Sequence, residues 1–239
     1  MMKFAWIVAV AAVVAATPAI ADELVIRRPL FAYVGTLKLL TAGFEAATGD
    51  KIKVVDANDA ADLLISFKAE IEAQVKDGKV DAGSVADIAA MRVGMAVKAG
   101  APIPDISTPD KFKQALLAAK SVGVSRGPSG QYLSTELFPK LGIAEQIKDK
   151  TVVVTARMVG EAVASGEAEI GFQQASELIP LEGISTVGPI PESIQRVTIY
   201  TAGLSTGSKA TAAGRRFIAY VKSSAAAAAY KVTGVGQVK

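Results

Sequence analysis

The sequence contains no cysteine and no histidine among its 239 residues. Without thiol and imidazole side chains, disulfide bonds, thiolate metal centres, cysteine nucleophiles and Ser-His-Asp triads are all excluded. Only carboxylate and carbonyl oxygens remain as metal ligands, and we expect neither a metal nor a cofactor. The net charge is also small, since 26 Lys and Arg against 23 Asp and Glu give +3. A charge so small and so dispersed argues against nucleic-acid binding.

The first 21 residues have the pattern of an export signal. Lys3 gives a positive start, Phe4–Ala16 is an apolar run, and Pro18 breaks it. The following Ala19–Ala21 fits the small-x-small rule for signal peptidase. Because the apolar run is shorter than the roughly 20 residues that span a bilayer, we predict a Sec-type signal peptide cleaved after Ala21. The mature protein is then periplasmic, without a stable membrane anchor.

The remaining sequence alternates short β-rich runs with amphipathic segments, a pattern typical of an α/β protein with mainly parallel strands. Its hydrophobic content of 51% is enough for a large buried core. Candidate elements include strands at Lys51–Val55 and Val197–Leu204 and helices at Ser129–Leu141 and Val159–Ser165.

Two stretches rich in proline and glycine, Ala99–Pro104 and Val187–Pro191, bracket a middle segment. They predict two lobes, one formed by residues 22–103 plus 192–239 and the other by residues 104–191. Two crossings of this kind suit a protein that closes around a ligand. Ordinary loops would explain the same prolines.

The first candidate ligand-binding segment is Tyr33–Thr36, which follows a predicted strand and opens a predicted helix. The free backbone N–H groups of Gly35 and Thr36, together with the Thr36 hydroxyl, favour an anion at this place. Simple N-capping by Thr36 explains the same residues.

The second candidate segment is Ser125–Gln131, again between a strand and a helix. Its two glycines, one of them Gly130, let the backbone approach a ligand, and Arg126 adds a permanent positive charge. Ser129 either contacts the ligand or caps the helix. The segment matches neither a phosphate-binding loop nor a nucleophile elbow.

The third candidate pair is Arg157, at a predicted helix start, and Gln173, at a predicted strand end. In open α/β sheets, ligands bind beyond the carboxyl ends of the strands, where both residues fall. A solvated charge and a turn cap are the alternatives. The nearby carboxylates are interpreted as surface positions: Glu161, Glu167, Glu169 and Glu177. With no acid–base pair in view, the sequence favours a protein that is not an enzyme.

The sequence resembles the molybdate-binding-protein family of periplasmic (type II) solute receptors of ABC transporters. The resemblance covers nearly all of the mature chain, and the order and spacing of its pieces carry it. The matching segments are Leu39–Gly49, Ala61–Ser66, Val97–Pro102, Asp105–Pro109, Val163–Gln174 and Val187–Pro191.

This resemblance implies two α/β lobes with a small anionic ligand in the cleft between them and an ABC transporter permease that receives it. We expect a monomer. In the family, neutral hydroxyls and main-chain N–H groups typically bind a tetrahedral oxyanion without a cationic counter-charge. The positions that correspond to these contacts are Gly35, Thr36, Ser129, Gly130, Arg157 and Gln173, and the strand-end residues Ser125 and Arg126 adjoin them.

The sequence departs from the family pattern between Val55 and Ala61, where a hydroxyl-bearing loop and a helix are missing. Asp56 or Asp59 would repel an oxyanion there. Arg126 adds a charge that such a site does not generally use. A small organic acid paired by Arg126 or Arg157 therefore competes with molybdate as the ligand.

The sequence leads to three competing hypotheses about function. The leading hypothesis is a non-enzymatic periplasmic protein that captures a small anion and delivers it to an ABC importer. The alternative is a divergent, non-transport member of the same fold that acts as a sensor input or a protein-interaction module. An exported enzyme of the same fold is the least favoured, because the sequence offers no visible acid–base pair.

Overall fold

The computed structural model describes residues 22–28, 33–56 and 59–239. The predicted signal peptide, residues 1–21, lies outside the described residues. Strands and helices alternate along most of the chain, as the sequence predicts. In the first half they are β1 (Glu23–Arg27), α1 (Val34–Thr48), β2 (Lys51–Val55), β3 (Leu63–Phe67), α2 (Lys68–Lys76), β4 (Ala86–Lys98) and α3 (Pro109–Ala118).

The second half continues this alternation and adds a π-helical segment, Leu133–Leu137, that joins α4 to α5. The elements are β5 (Val122–Ser125), α4 (Pro128–Tyr132), α5 (Phe138–Lys140), α6 (Ala144–Ile147), β6 (Thr151–Val154), α7 (Val159–Ser165), β7 (Ile170–Gln174), α8 (Ala175–Leu178), β8 (Ile184–Pro189), β9 (Val197–Leu204), α9 (Thr211–Lys222), α10 (Ala227–Val232) and β10 (Gly236–Gln237).

The strands form one sheet in the order β2-β1-β3-β9-β4-β7-β5-β6, with β8 and β10 paired along β4. The pairs at the two ends of the sheet are parallel. Helices connect β1 to β2, β5 to β6 and β6 to β7, as parallel neighbours usually require, whereas the described residues between β2 and β3 form no helix. The pairs around β4 and β9 are antiparallel, because β4 leads the chain into the second lobe and β9 brings it back. These long strands join the two lobes.

Two separate hydrophobic cores lie on either side of the middle of β4. In the first core, Phe44 meets Phe217 edge-on with ring centroids 5.3 Å apart. In the second core, Phe112 meets Phe172 in the same way at 5.6 Å. All four rings are fully buried, so each lobe has an apolar centre of its own.

Core membership changes within β4, where Met91 belongs to the first core and Val93 to the second. It changes back between Ile194 and Tyr200. The lobe boundaries at residues 103 and 191 stay predictions. The stretch Val187–Pro191 belongs in part to β8, and Gly188 takes φ of +130° beside the register shift in β4, a conformation that glycine tolerates.

No helix in the described part of the chain is both long enough and apolar enough to cross a membrane.

A charged clamp holds α9 against the edge of the sheet. The Asp50 carboxylate, of which 5% is exposed, accepts hydrogen bonds from Arg216 Nε at 3.0 Å and from Arg216 Nη2 at 2.8 Å. Arg216 also pairs with Asp22 at 3.0 Å. Because the Asp50 carboxylate is buried, the pairing with Arg216 offsets the cost of removing it from water.

We predict that Arg216→Met lowers the free energy of unfolding by about 1–3 kcal/mol, because it leaves the buried Asp50 carboxylate without its counter-charge. Urea unfolding measures the difference. The matched control is Arg215→Met on the same helix, whose partner Asp81 is about half exposed, and it should cost less than about 1 kcal/mol. An equal loss of unfolding free energy in the two variants would contradict the stabilising role of the Arg216–Asp50 pair.

Candidate functional site

Residues of both lobes line a cavity of about 300 Å³ at the carboxyl ends of β5, β6 and β7. We call it the main cavity. The first lobe contributes two aromatic rings, and the second lobe contributes most of the polar groups. Its walls are Phe67, Ser125, Arg126, Gly127, Pro128, Ser129, Val154, Thr155, Arg157, Met158, Gln173, Gln174, Glu177 and Tyr200.

The turn from β5 into α4 forms one wall and is built by close packing. A Cβ atom at Gly130 would lie 1.7 Å from the carbonyl oxygen of Ser125, so only glycine fits there. Gly130 itself does not line the main cavity; it lets α4 begin directly against the strand end. Ser129 is buried, and its hydroxyl lies 3.2 Å from that of Ser125. The start of α4 has no side-chain cap, so capping does not explain Ser129.

The two arginines of the main cavity differ in their partners. Arg157 forms an ion pair with Glu167, and both side chains are partly exposed. Arg126 is exposed, and among the described residues its guanidinium has no carboxylate partner. Arg126 therefore brings an uncompensated positive charge to the cavity, whereas the charge of Arg157 is already balanced.

Two glutamines stand at the end of β7. Gln173 Oε1 accepts the backbone N–H of Val159 at 2.8 Å, so this side chain holds the start of α7 in place. Gln174 Nε2 donates to the Thr198 hydroxyl at 3.1 Å, and its Oε1 is buried without a hydrogen-bond partner among the described residues. The carbonyl oxygen of the Gln174 side chain is therefore an unused hydrogen-bond acceptor.

Glu177 was interpreted as a surface residue, and that interpretation is wrong, because only 9% of it is exposed. The short helix α8 folds back onto β4 directly after β7, and this packing turns the side chain into the cavity. Glu161, Glu167 and Glu169 are exposed, as predicted. The sequence signal that could have placed Glu177 at the cavity was its position, because it lies only three residues after the strand end at Gln174.

Burial raises the pKa of the Glu177 carboxyl to about 7, while interactions with the Gln173 side chain and the Gln174 backbone act in the opposite direction. The group therefore changes charge near neutral pH. A carboxyl with a shifted pKa that faces a cavity is a candidate for ligand binding or proton transfer.

Phe67 and Tyr200 form the first-lobe wall, with ring centroids 4.9 Å apart. Burial, with smaller contributions from the charges of Glu177 and Glu70, raises the pKa of Tyr200 far above its ordinary value. Its phenol stays protonated, and among the described residues its hydroxyl has no hydrogen-bond partner. Sequence reasoning missed both rings, since neither adjoins a glycine-rich or polar turn.

Gly35 and Thr36 line a neighbouring cavity of about 280 Å³, which shares Met158 and Glu177 with the main cavity. The residue before α1, Tyr33, has φ of +82°, and the helix has no side-chain cap. The Thr36 hydroxyl donates to the Thr233 hydroxyl at 2.8 Å. Thr36 therefore neither caps the helix nor has a free hydroxyl proton for an anion.

Of the eight predicted site residues, the structure brings five to the main cavity: Ser125, Arg126, Ser129, Arg157 and Gln173. Gly35 and Thr36 line the neighbouring cavity, and Gly130 supports the turn. Asp56 and Asp59 line neither cavity, and Asp56 pairs with Arg28 at 2.7 Å. These aspartates are therefore not placed to repel an anion inside either cavity.

The known proteins that resemble the chain include binding proteins and one named as an enzyme. A family model described as bacterial extracellular solute-binding protein matches residues 36–235. A relative named aconitate isomerase, from a Pseudomonas species, is 35% identical over an alignment of 218 residues, and the match covers 84% of this chain and 83% of the relative.

Two solved structures have the same fold at low sequence identity. The periplasmic molybdate-binding protein of Azotobacter vinelandii is 16% identical, with a TM-score of 0.67 over 91% of this chain and 100% of that one. L-phospholactate-bound PEB3, a protein of Campylobacter jejuni, is 15% identical, with a TM-score of 0.67 over 90% and 98%. The α/β fold of type II periplasmic binding proteins, predicted from the sequence, is confirmed.

We predict that Glu177→Gln stabilises the protein at high pH but hardly at low pH. The pKa of Glu177 is about 7 in the folded protein and 4.5 ordinarily, so the folded state binds this proton more tightly than the unfolded chain. The free energy of unfolding therefore falls as the pH rises between these values, and it stays lower above them.

The neutral glutamine removes this loss, which corresponds to at most about 3 kcal/mol above neutral pH. Urea unfolding of the variant and the parent at about pH 5 and about pH 8 measures the change. The control, exposed Glu161→Gln, should show no such pH dependence. A Glu177→Gln effect that is equal at both pH values would contradict the shifted pKa.

Proposed function

The chain belongs to the family of bacterial extracellular solute-binding proteins, and we therefore propose that it captures a small organic acid with more than one carboxylate. The proposed site is the main cavity, and the proposed contacts are the predicted residues that line it. Three features of this cavity support the proposed ligand class: its charge, its size and its unpaired polar groups.

Arg126 is the observation that carries this proposal. Its guanidinium has no carboxylate partner among the described residues, and it lines the cavity next to the hydroxyls of Ser125 and Ser129. A guanidinium matches the planar geometry of a carboxylate with two parallel hydrogen bonds. Arg157 can bind a second carboxylate of the ligand in addition to its present partner, Glu167.

The size and the walls of the cavity also support an organic acid. A volume of about 300 Å³ corresponds to roughly ten water molecules, more than a five-atom oxyanion fills. Phe67, Pro128 and Val154 provide apolar surface for a carbon skeleton. The Tyr200 hydroxyl can donate a hydrogen bond to a further oxygen atom of the ligand. Gln174 Oε1 is an acceptor and can bind only an O–H group of the ligand.

Transport is the proposed use of this binding. A periplasmic location, through the predicted signal peptide, would let a monomeric receptor present its ligand to an ABC transporter permease. The non-transport alternative, a sensor input or interaction module, keeps the same cavity but has a different partner. Recovery of a permease or of a sensor domain with the full chain would distinguish these two roles.

Titration calorimetry with trans-aconitate, citrate, molybdate, tungstate and sulfate tests the ligand class. We predict that a polycarboxylate binds and that Arg126→Gln weakens its affinity roughly 10- to 100-fold, because a charge-assisted pair is lost. The matched control, Arg215→Gln, changes an exposed arginine that lines neither cavity and should leave the affinity unchanged.

Two outcomes would refute this ligand class. One is molybdate or tungstate binding more tightly than every organic acid, with no effect of Arg126→Gln. The other is the absence of both heat and thermal stabilisation with every anion of the panel, since a ligand at a hundredfold excess over its Kd stabilises the folded state by about 2.7 kcal/mol.

A second candidate function is the isomerisation of a bound unsaturated acid. It is favoured by the buried Glu177 carboxyl in the cavity and by the 35% identity to a protein named aconitate isomerase. Aconitate has three carboxylates and one carbon–carbon double bond, which match the proposed ligand class. Moving a proton between two of its carbon atoms requires neither a metal nor a nucleophile.

We predict that the protein converts trans-aconitate to cis-aconitate, and the reverse, until both reactions reach the same equilibrium mixture. Chromatography of the two isomers over time measures the conversion. The control is the same incubation with heat-denatured protein. Tight binding of trans-aconitate with no conversion in either direction would reject the isomerase and leave the receptor.

A further inference from the structure

We propose that the Glu177 carboxyl is the acid–base group that moves a proton between two carbon atoms of a bound unsaturated polycarboxylate. This inference rests on the second candidate function, since it assigns the residue that would perform that reaction. The position of Glu177 between the two cavities, the charges around it and the chemistry of the reaction all support it.

Glu177 lies where the main cavity and the neighbouring cavity meet. It lines both the main cavity and the neighbouring cavity, and among the described residues it is the one carboxylate that lines either of them. Arg126 and Arg157 stand in the same cavity as anchors for the substrate carboxylates. A substrate held by its carboxylates at these arginines presents its carbon chain to the carboxyl group of Glu177.

The other groups around Glu177 are poor candidates for this role. The titratable side chains that face it across the cavities are Tyr200 on β9, Tyr33 before α1, and the two arginines. Burial holds the pKa of both tyrosines well above the ordinary value, and guanidinium groups do not release protons. The other elements packed against α8, namely β4, β7, β8 and α7, place no charged side chain of their own in either cavity.

The reaction balances without any co-reactant. The ionised Glu177 carboxylate removes a proton from the CH₂ group beside the double bond. The electrons of that C–H bond form the new double bond, and those of the old double bond pass to its far carbon, which the adjoining carboxylate stabilises. Glu177 then returns the proton to that carbon, so one C–H bond breaks, one forms, and the double bond moves by one position.

The surroundings suit such a step. Negative charge develops on the substrate carboxylates during proton removal, and Arg126 and the Tyr200 hydroxyl stand in the same cavity as donors toward it. A carboxyl with a pKa of about 7 is both sufficiently ionised and sufficiently basic at neutral pH. Free glutamate is mostly ionised at this pH but is a weaker base.

The test compares the full-length chain with Glu177→Gln, Glu177→Asp and the exposed control Glu182→Gln. Conversion between the aconitate isomers is followed by chromatography, and binding of trans-aconitate by calorimetry. We expect Glu177→Gln to bind within about tenfold of the parent affinity and to convert at least about 100-fold more slowly. Glu182→Gln should match the parent in both respects.

Two further readouts separate proton transfer from a structural role. In the parent, kcat/KM should rise about tenfold per pH unit below the pKa of Glu177 and level off above it, because the carboxylate form is required. Residual activity of Glu177→Gln should lack this inflection. Glu177→Asp keeps the acid but moves it by one methylene group, so kcat should fall more than KM changes.

Each outcome decides the inference. Slow conversion by Glu177→Gln with binding preserved supports it. Conversion by Glu177→Gln within tenfold of the parent, or a parent that binds trans-aconitate but converts neither isomer, overturns the role of Glu177 and leaves the proposed capture intact. A parent that binds neither isomer refutes capture of this acid and the inference together.

Discussion

The site depends on one unfavourable feature, the burial of the ionisable Glu177 carboxyl between the two lobes. Glu177 lies on a short helix that packs on β4, and only 9% of the residue is exposed. Near neutral pH the group is divided between its two protonation states. A bound anion beside it favours the protonated form, because like charges repel. In the complex that we propose, ligand binding is therefore linked to uptake of a proton by Glu177.

The two-lobed fold explains why these groups meet. Each lobe has its own apolar core, and β4 and β9 pass between them. The loops after β5 and β6 and the helix α8 after β7 bring Arg126, Arg157 and Glu177 to one edge of the second lobe. The first lobe closes the space with the rings of Phe67 and Tyr200, so the segment missing between Val55 and Ala61 is not needed for this wall.

Local patterns were enough to predict much of the fold but only part of the site. Two elements have the predicted bounds, the strand Val197–Leu204 and the helix Val159–Ser165. The hydrophobic periodicity that predicts such an element lies entirely within its own residues. For β4 the sequence predicts only Val93–Lys98, and the alanine-rich first part was missed because its strand form depends on pairing with β9. The environment of Glu177 depends on tertiary packing. So does the hydrogen bond between Thr36 and Thr233, which are 197 positions apart in the sequence. No local pattern encodes these contacts.

The proton linked to binding is the most direct measure of a polycarboxylate held beside Glu177. Titration calorimetry of trans-aconitate near pH 7, repeated in buffers with different ionisation enthalpies, counts the protons exchanged per ligand bound. We expect net uptake of a fraction of a proton in the parent and none in Glu177→Gln. Binding without proton uptake in the parent, or with the same uptake in both proteins, would contradict this account.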